Sequence, residues 1–297
     1  MPPTPDPNTG QDAASTEFAA WTGRSETVHE TLAPWPLQAY SAILDRTDPA
    51  PDQGTPLPPL AHWGCFLSPV RQSELALDGH RSRGVFLPPV PLPRRMWAGG
   101  RLDWRPDNPL RVGDAAQRVS RVASVVRKQG RSGELVFVLV HHEMHNAAGL
   151  ALVEEQDLVY REAARPGDAP PQPVAAQTSA RWREQVVPDP VLLFRYSAMT
   201  FNGHRIHYDR DYAVKEERYP GLVVHGPLIA TLLADLARRN VPAAQRIAHF
   251  EFRAVRPLFD LHPFWILGEP EADGRTIRLW AHDHEGWEAM RAQARFT

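Results

Sequence analysis

A break in composition near the middle of the chain most constrains how this sequence can fold. Residues 163–179 read AARPGDAPPQPVAAQTS, a segment rich in proline, alanine and small polar residues without an apolar period. Such a composition is typical of a linker. It separates residues 18–162 from residues 180–297, and each part has the usual size of one domain. Residues 1–17 lack the basic and apolar segments of a secretory signal and are predicted to form a disordered tail.

The second part combines one strongly apolar helix with several strands. A helix is predicted over 221–239, because its leucine and isoleucine side chains repeat on one helical face and two arginines follow at its end. A strand is predicted over 191–201 before the helix, and strands after it at 249–255, 264–269, 275–282 and 288–296. This order predicts an α+β fold, in which an antiparallel sheet wraps around a single helix.

The first part shows the same theme less clearly. A short helix is predicted at 36–44, and a proline-rich loop follows at 48–59. The turn-like sequence at 128–133 predicts a hairpin between the two β runs that flank it. The predicted strands are 62–67, 117–126, 133–142 and 150–160. The two parts therefore look like architectural duplicates without sequence similarity.

Charge and hydropathy exclude several classes of function. The formal net charge is −2 and the basic residues are interspersed with acids, so no nucleic-acid-binding surface is expected. No apolar run has the length of a membrane span, and we expect a soluble, cytoplasmic protein. Cys65 is the only cysteine; it lies in an apolar run, which favours a buried structural thiol over a nucleophile.

Three histidine clusters are candidates for chemistry. The cluster at 141–145 does not fit a zinc-protease helix motif, since Asn146 stands where the second histidine is required. His282 and His284 lack further ligands nearby in the sequence, so no metal is predicted at either cluster. In the third cluster, Asn202, His204 and His207 crowd one short segment next to predicted regular structure. Such segments often carry catalytic groups.

The third cluster resembles a known family. TFNGHRIHYDRDYA, followed by GLVVHGPLIATLL, is similar to the MaoC-like, R-specific enoyl-CoA hydratases, whose signature is G-D-x-N-P-L-H-x-D. The catalytic histidine of that signature falls on His207, and its aspartate falls on Asn202. The changes at 202, 204 and 205 match a two-domain branch, the type-2 hydroxyacyl-thioester dehydratases and the hydratases of mesaconyl-C4-CoA or itaconyl-CoA. Residues 100–114 and 133–146 also fit this branch.

The resemblance implies a double hot-dog fold and a hydratase or dehydratase. The N-terminal half is expected to be non-catalytic and to shape the acyl-CoA cavity, whereas the C-terminal half carries the site. His207 is the expected acid/base, Asn202 orients the reacting water, and Gly226 with His225 binds the thioester oxygen. No metal or cofactor is expected, because coenzyme A is part of the substrate, and a homodimer of such protomers is an expectation.

The acyl group remains open at the level of sequence. The leading hypothesis is hydration of itaconyl-CoA or mesaconyl-C4-CoA to a citramalyl-CoA type of product. The alternatives are a 3-hydroxyacyl-thioester dehydratase of fatty-acid synthesis and a non-catalytic acyl-CoA-binding subunit. An arginine is the natural partner of a substrate carboxylate, and arginines at the cavity mouth would suit the phosphates of CoA. The candidate substrate-binding residues are His204, Arg205, Tyr208, Arg253 and Arg256.

Overall fold

The computed structural model describes residues 17–130, 133–163 and 172–297. The predicted tail, apart from Glu17, lies outside the described residues. So do residues 131–132 of the predicted turn and residues 164–171 of the predicted linker. The bounds proposed for the tail, the linker and the two domains stay predictions.

The described residues form three α-helices and ten β-strands. The helices are α1 (Trp35–Ile43), α2 (Pro190–Met199) and α3 (Gly226–Arg239). The strands are β1 (Ser25–Thr31), β2 (Arg94–Trp104), β3 (Ala115–Gly130), β4 (Gly133–Asn146), β5 (Gly149–Arg161), β6 (Trp182–Val186), β7 (Ile247–Ala254), β8 (Phe264–Pro270), β9 (Thr276–His282) and β10 (Glu288–Phe296).

All ten strands belong to one antiparallel sheet. Their order is β1-β3-β4-β5-β2-β7-β10-β9-β8-β6, so five strands from each half of the chain lie side by side. The halves meet where β2 pairs with β7, in a register that runs from Gly99 opposite Arg253 to Asp103 opposite His249. This continuous pairing fixes the N-terminal half against the C-terminal half and removes an exposed edge from each.

The larger of two hydrophobic clusters extends across both halves. The apolar face of α3 packs on the C-terminal strands, and Leu228 and Leu233 are fully buried there. The inward face of β7 contributes Phe250 and Phe252 to the same core. The helix of the N-terminal half, α1, has only nine residues and packs beside α2. It is shorter than α3, which has 14 residues. Asp45, in the left-handed region with φ of 55°, follows the end of α1.

The strand predicted at 62–67 is wrong, because Ala61–Gly64 forms a 3₁₀-helix. Leu60 and Phe66 flank it in the left-handed region, with φ of 67° and 52°. Tertiary contacts override the local pattern: Nε1 of Trp63 donates to the buried Glu154 at 2.9 Å, and Nε2 of His62 lies 3.0 Å from the same carboxylate. Cys65 is buried there, which confirms the prediction of a buried thiol. Burial raises the pKa of this thiol to about 12.

Two predictions around the third histidine cluster also need correction. The strand predicted at 191–201 is helix α2, because Asp189 caps its first turn through the N–H groups of Val191 and Leu192, and Pro190 suits the first helical position. The helix predicted from residue 221 starts at Gly226 instead, since Pro227 fixes the first turn and His225 is extended. No helix in the described part of the chain is long and apolar enough to cross a membrane.

Candidate active site

The loop that follows α2 carries the first part of the site. It turns sharply at Phe201, whose φ is 50°, and the N–H of Asn202 donates to the carbonyl of Ser197 at 2.8 Å. The Oδ1 atom of Asn202 accepts the N–H of His204 at 3.0 Å, which leaves its Nδ2 group as a donor. A short 3₁₀-helix, Arg205–His207, then brings His207 inward.

The imidazole of His207 is held in one tautomer. Its Nδ1 donates to the carbonyl oxygen of Val223 at 2.7 Å, so Nε2 of the neutral ring is an acceptor. Val223 lies in the extended segment before α3, and its own N–H donates to the carbonyl of Ile206. Burial lowers the pKa of His207 to about 4, and His80 acts in the same direction, so the ring is neutral at physiological pH.

His225 lies behind His207 and does not line the cavity described below. The two rings stack with centroids 3.7 Å apart, and Nε2 of His225 lies 2.9 Å from Oγ of Ser197. Its side chain is fully buried, and burial together with His207 lowers its pKa well below the usual value. This geometry supports a role in positioning His207 and does not support contact with a thioester.

Gly226 opens helix α3 beside His207. The first N–H groups of a helix have no internal partner and carry partial positive charge, so this end can stabilise a developing oxyanion. A methyl group at Gly226 would meet only the carbonyl oxygen of Trp97, at 4.0 Å. Packing therefore does not demand a glycine at this position.

A loop of the N-terminal half enters the site. Nδ1 of His80 donates to Asp78 at 3.1 Å, and the His80 ring lies 4.0 Å from that of His204 between centroids. The absence of a side chain at Gly79 allows the two loops to come this close. A Cβ atom there would lie 1.9 Å from the carbonyl oxygen of Gly203. The N–H of Arg205 also donates to the carbonyl of Asp78 at 2.9 Å.

Both halves line one cavity of about 400 Å³. The C-terminal half contributes Asn202, His207 and Gly226, and the N-terminal half contributes His80 and Arg95. A volume of this size suits a small ligand or one part of a larger one. A neighbouring cavity of similar volume meets it and is lined by further N-terminal residues. The two share Leu87, Arg95, Trp97, Gln156, Asn202 and Pro227.

Asp78 and His80, the two side chains of the N-terminal loop at the cavity, differ in charge: Asp78 is ionised and His80 is neutral. Although burial opposes it, the hydrogen bond from His80 lowers the pKa of Asp78, so this group is a carboxylate. Burial and the positive charge of Arg95 lower the pKa of His80 to about 4. Burial, His80 and His207 lower the pKa of His204 as well. The three cavity histidines are therefore neutral together.

Ligand-type atoms of Asp78, His80 and His204 lie within 4.8 Å of one another. Such a group has the composition of a divalent-metal site. The carboxylate is already hydrogen-bonded to His80, and Arg95 acts on both rings as a positive charge, which opposes a second cation. The arrangement fits a network of neutral imidazoles better than a metal site.

Three of the sequence-predicted binding residues lie outside this cavity. Arg205 pairs with Asp209 through Nε and Nη2, at 3.0 and 2.8 Å. Tyr208 is exposed and its hydroxyl donates to the carbonyl of Gly203. Arg253 lines a groove on the other face of the sheet, since its neighbour Phe252 points into the core. Arg256 lines the cavity, as does His204.

Sequence reasoning missed Asp78, His80 and Arg95. Their only local signals are a histidine beside a glycine in a polar loop and an arginine pair before an apolar strand. Neither signal is specific, because both patterns also occur on solvated surfaces. Only the pairing of the two halves brings these residues to His204 and His207.

The sequence model of the family described as hydroxyacyl-thioester dehydratase type 2 matches residues 60–260. A mesaconyl-C4-CoA hydratase of Chloroflexus aurantiacus is 46% identical over 279 residues, which are 94% of this chain and 98% of that protein. The chain belongs to the hydroxyacyl-thioester dehydratase type 2 family. The predicted family branch is thereby confirmed, together with its hydro-lyase class.

A more distant relative and several solved structures are also similar to this chain. A mitochondrial type-2 hydroxyacyl-thioester dehydratase of Schizosaccharomyces pombe is 27% identical, over 71% of this chain and 77% of that protein. The crystal structure of HtdX of Mycobacterium tuberculosis is 17% identical and superimposes with a TM-score of 0.63, covering 92% of this chain and all of that one.

A second Mycobacterium tuberculosis protein, described as having a double hotdog fold, has a TM-score of 0.56 at 15% identity, covering 93% of this chain and 96% of that one. At such identities the likeness concerns the fold. The predicted double hot-dog fold is confirmed.

Proposed function

We propose that this type-2 family member reversibly adds water to a short dicarboxylic enoyl-CoA of the mesaconyl-C4-CoA or itaconyl-CoA kind. The single observation that carries the reaction type is the geometry of His207. Its Nδ1 is committed to Val223, and its ring lines the cavity that also contains Asn202 and Gly226. Coenzyme A enters as part of the substrate, and the reaction needs no further cofactor.

His207 acts as the base in this proposal. In a conjugated substrate such as mesaconyl-C4-CoA, the neutral Nε2 of His207 takes a proton from water while the water oxygen bonds to the β-carbon, and the double-bond electrons move to the thioester oxygen. The resulting imidazolium then gives the proton to the α-carbon, which restores the neutral ring and the thioester carbonyl. Nδ2 of Asn202 donates to the water oxygen and orients it, since an amide cannot act as a base.

The start of α3 stabilises the intermediate. Charge develops on the thioester oxygen, and in this proposal the N–H of Gly226 donates a hydrogen bond to it. Pro227 has no N–H to offer, which makes Gly226 the first donor of this helix. The stacked ring of His225 fixes the orientation of the His207 ring relative to this donor.

The substrate class rests on the mesaconyl-C4-CoA hydratase, whose match spans nearly all of both chains. The cavity agrees with it, because about 400 Å³ suits a short acyl group and cationic side chains line its wall. A short-chain substrate with a second carboxylate would be matched in both size and charge.

One observation favours a 3-hydroxyacyl-thioester dehydratase as second candidate. The neighbouring cavity, lined by Trp63, Phe66 and Leu67, continues from the first and could take a longer apolar chain. The Schizosaccharomyces pombe family member is named for that activity.

The experiment is a substrate panel with the purified full-length protein. Mesaconyl-C4-CoA, itaconyl-CoA, crotonyl-CoA and a long-chain 3-hydroxyacyl-CoA are incubated separately, and products that gain or lose one water are identified by mass spectrometry. We expect mesaconyl-C4-CoA or itaconyl-CoA to give the highest kcat/KM. A preference for the long-chain 3-hydroxyacyl-CoA would replace this function by the second candidate, and no water addition or loss with any substrate would refute both.

A further inference from the structure

Arg95 stands out among the arginines that line the catalytic cavity. Within residues 17–130, 133–163 and 172–297, its guanidinium makes no hydrogen bond and no ion pair. The side chain is half-buried and lies where the two cavities meet. It lines the same cavity as His80, His204 and His207, so it lies close to the proposed reaction centre. A half-buried arginine without an anion is incomplete electrostatically, because buried charges are normally paired.

Other arginines near the cavity already have carboxylate partners. Nε of Arg94 lies 3.4 Å from Glu217, and Arg256 lies 3.8 Å from Asp283. Arg205, the anchor suggested by the sequence, is bound to Asp209. Arg161 is the other arginine without a hydrogen bond or ion pair among the described residues that line this cavity, but it does not line the neighbouring cavity. Arg118 is also without such a partner, but it lines only the neighbouring cavity and does not share one with His207.

The chemistry of the proposed substrate places a carboxylate near this position. In mesaconyl-C4-CoA the free carboxylate is bonded to the β-carbon, the atom that water attacks. It must therefore lie next to the catalytic histidine, and not at the far end of a tunnel. Arg95 meets this requirement, because it lines the same cavity as His204 and His207.

We propose that Arg95 binds the free carboxylate of the acyl group and thereby selects dicarboxylyl over neutral acyl thioesters. This inference rests on the proposed function and names its specificity residue. The planar guanidinium can donate two parallel N–H groups to the two carboxylate oxygens. A neutral acyl group of the same length leaves this cation unpaired beside the neutral histidines, which disfavours its binding.

The test compares two saturated thioesters that differ only at this group. Succinyl-CoA carries a carboxylate on its β-carbon, whereas butyryl-CoA carries a methyl group there. Their dissociation constants are measured by titration calorimetry with the wild-type protein, Arg95→Gln, Arg95→Lys and the matched control Arg161→Gln. Thermal unfolding of each variant checks that the fold is retained.

We expect the wild type to bind succinyl-CoA more tightly than butyryl-CoA. Arg95→Gln should weaken succinyl-CoA binding on the order of 100-fold and change butyryl-CoA binding less than about threefold. Arg95→Lys should recover part of the loss, since it keeps the charge without the paired donors. Arg161→Gln should affect both ligands in the same proportion.

Two outcomes would overturn the inference. An equal loss with both ligands in Arg95→Gln would show that Arg95 meets the CoA phosphates, which both ligands share. Unchanged binding of succinyl-CoA, or a wild type without preference between the two ligands, would show that no acyl carboxylate is bound there. Because binding is measured without turnover, these results are distinct from a failure to hydrate mesaconyl-C4-CoA.

Discussion

The imidazole rings of His207 and His225 stack face to face, with centroids 3.7 Å apart and planes 17° from parallel. Each ring has a separate anchor: Val223 accepts from Nδ1 of His207, and Ser197 lies 2.9 Å from Nε2 of His225. A proton on one ring repels a proton on the other, and burial disfavours both charges. The pair therefore presents a neutral, oriented base to the cavity.

The pH dependence of kcat/KM follows from this neutral base. His207 is active when unprotonated, and burial lowers its pKa to about 4. Activity should stay constant from about pH 8 to pH 6 and fall only as the pH approaches the lowered pKa. Initial rates after brief pH jumps, with circular dichroism as a control for folding, measure this profile. A decline centred near the ordinary histidine value of about 6.5 would contradict it.

Asn202 is expected to act through its amide donor. Asn202→Ala removes both the donor and the acceptor for the His204 N–H, and should lower kcat by about 100-fold. Asn202→Asp keeps the acceptor and can still hold a water, so it should retain more activity than the alanine variant. Steady-state rates of the three proteins test this order. An alanine variant with wild-type kcat would exclude a role in orienting water.

Gly79 is expected to control the junction between the two halves. An alanine there would clash with the carbonyl of Gly203 and must adopt a φ of +86°, so Gly79→Ala should destabilise the fold by roughly 2–4 kcal/mol and lower hydration activity. Gly23 has a similar φ of +88° and nothing within 4 Å of an added Cβ. Gly23→Ala is therefore the control for backbone strain alone.

These two variants are compared by denaturant unfolding and by initial rate. Gly23→Ala should cost about 1 kcal/mol and leave the rate unchanged. If Gly79→Ala matched Gly23→Ala in both measurements, the N-terminal loop would not hold the site together as described.

Removal of metal ions should leave the activity unchanged. The proposed proton transfers use imidazole and water alone, and Arg95 opposes a cation beside His80 and His204. Dialysis against a strong chelator followed by the hydration assay tests this expectation. A loss of activity that Zn²⁺ restores would instead assign a metal to Asp78, His80 and His204.

The sequence predicted the C-terminal half best. Strands β7 to β10 are confirmed, because their alternating or apolar runs are bounded by turn residues. The helix over 221–239 was recognised from its leucine stripe, but its start was wrong, since Pro227 and His225 set the boundary at Gly226. The segment at 191–201 is helical because the Asp189–Pro190 cap outweighs its apolar, strand-like appearance.

The sequence predicted only the C-terminal part of the candidate site. Asn202, His204 and His207 lie within one short segment, so spacing alone brought them together. Arg95 and His80 are distant in sequence and reach the cavity through the β2–β7 pairing and the Gly79–Gly203 contact. No local pattern encodes such long-range placement. A cytoplasmic location and a homodimer stay predictions from the sequence.

The most direct test of the account is the hydration rate of His207→Gln. Glutamine retains hydrogen bonding but cannot take a proton, so kcat with the preferred enoyl-CoA should fall by about 100- to 10,000-fold while the melting temperature changes little. His29→Gln, at an exposed position on β1, should keep the wild-type rate. A His207→Gln protein that hydrates the substrate at the wild-type rate would contradict the assignment of this imidazole as the catalytic base.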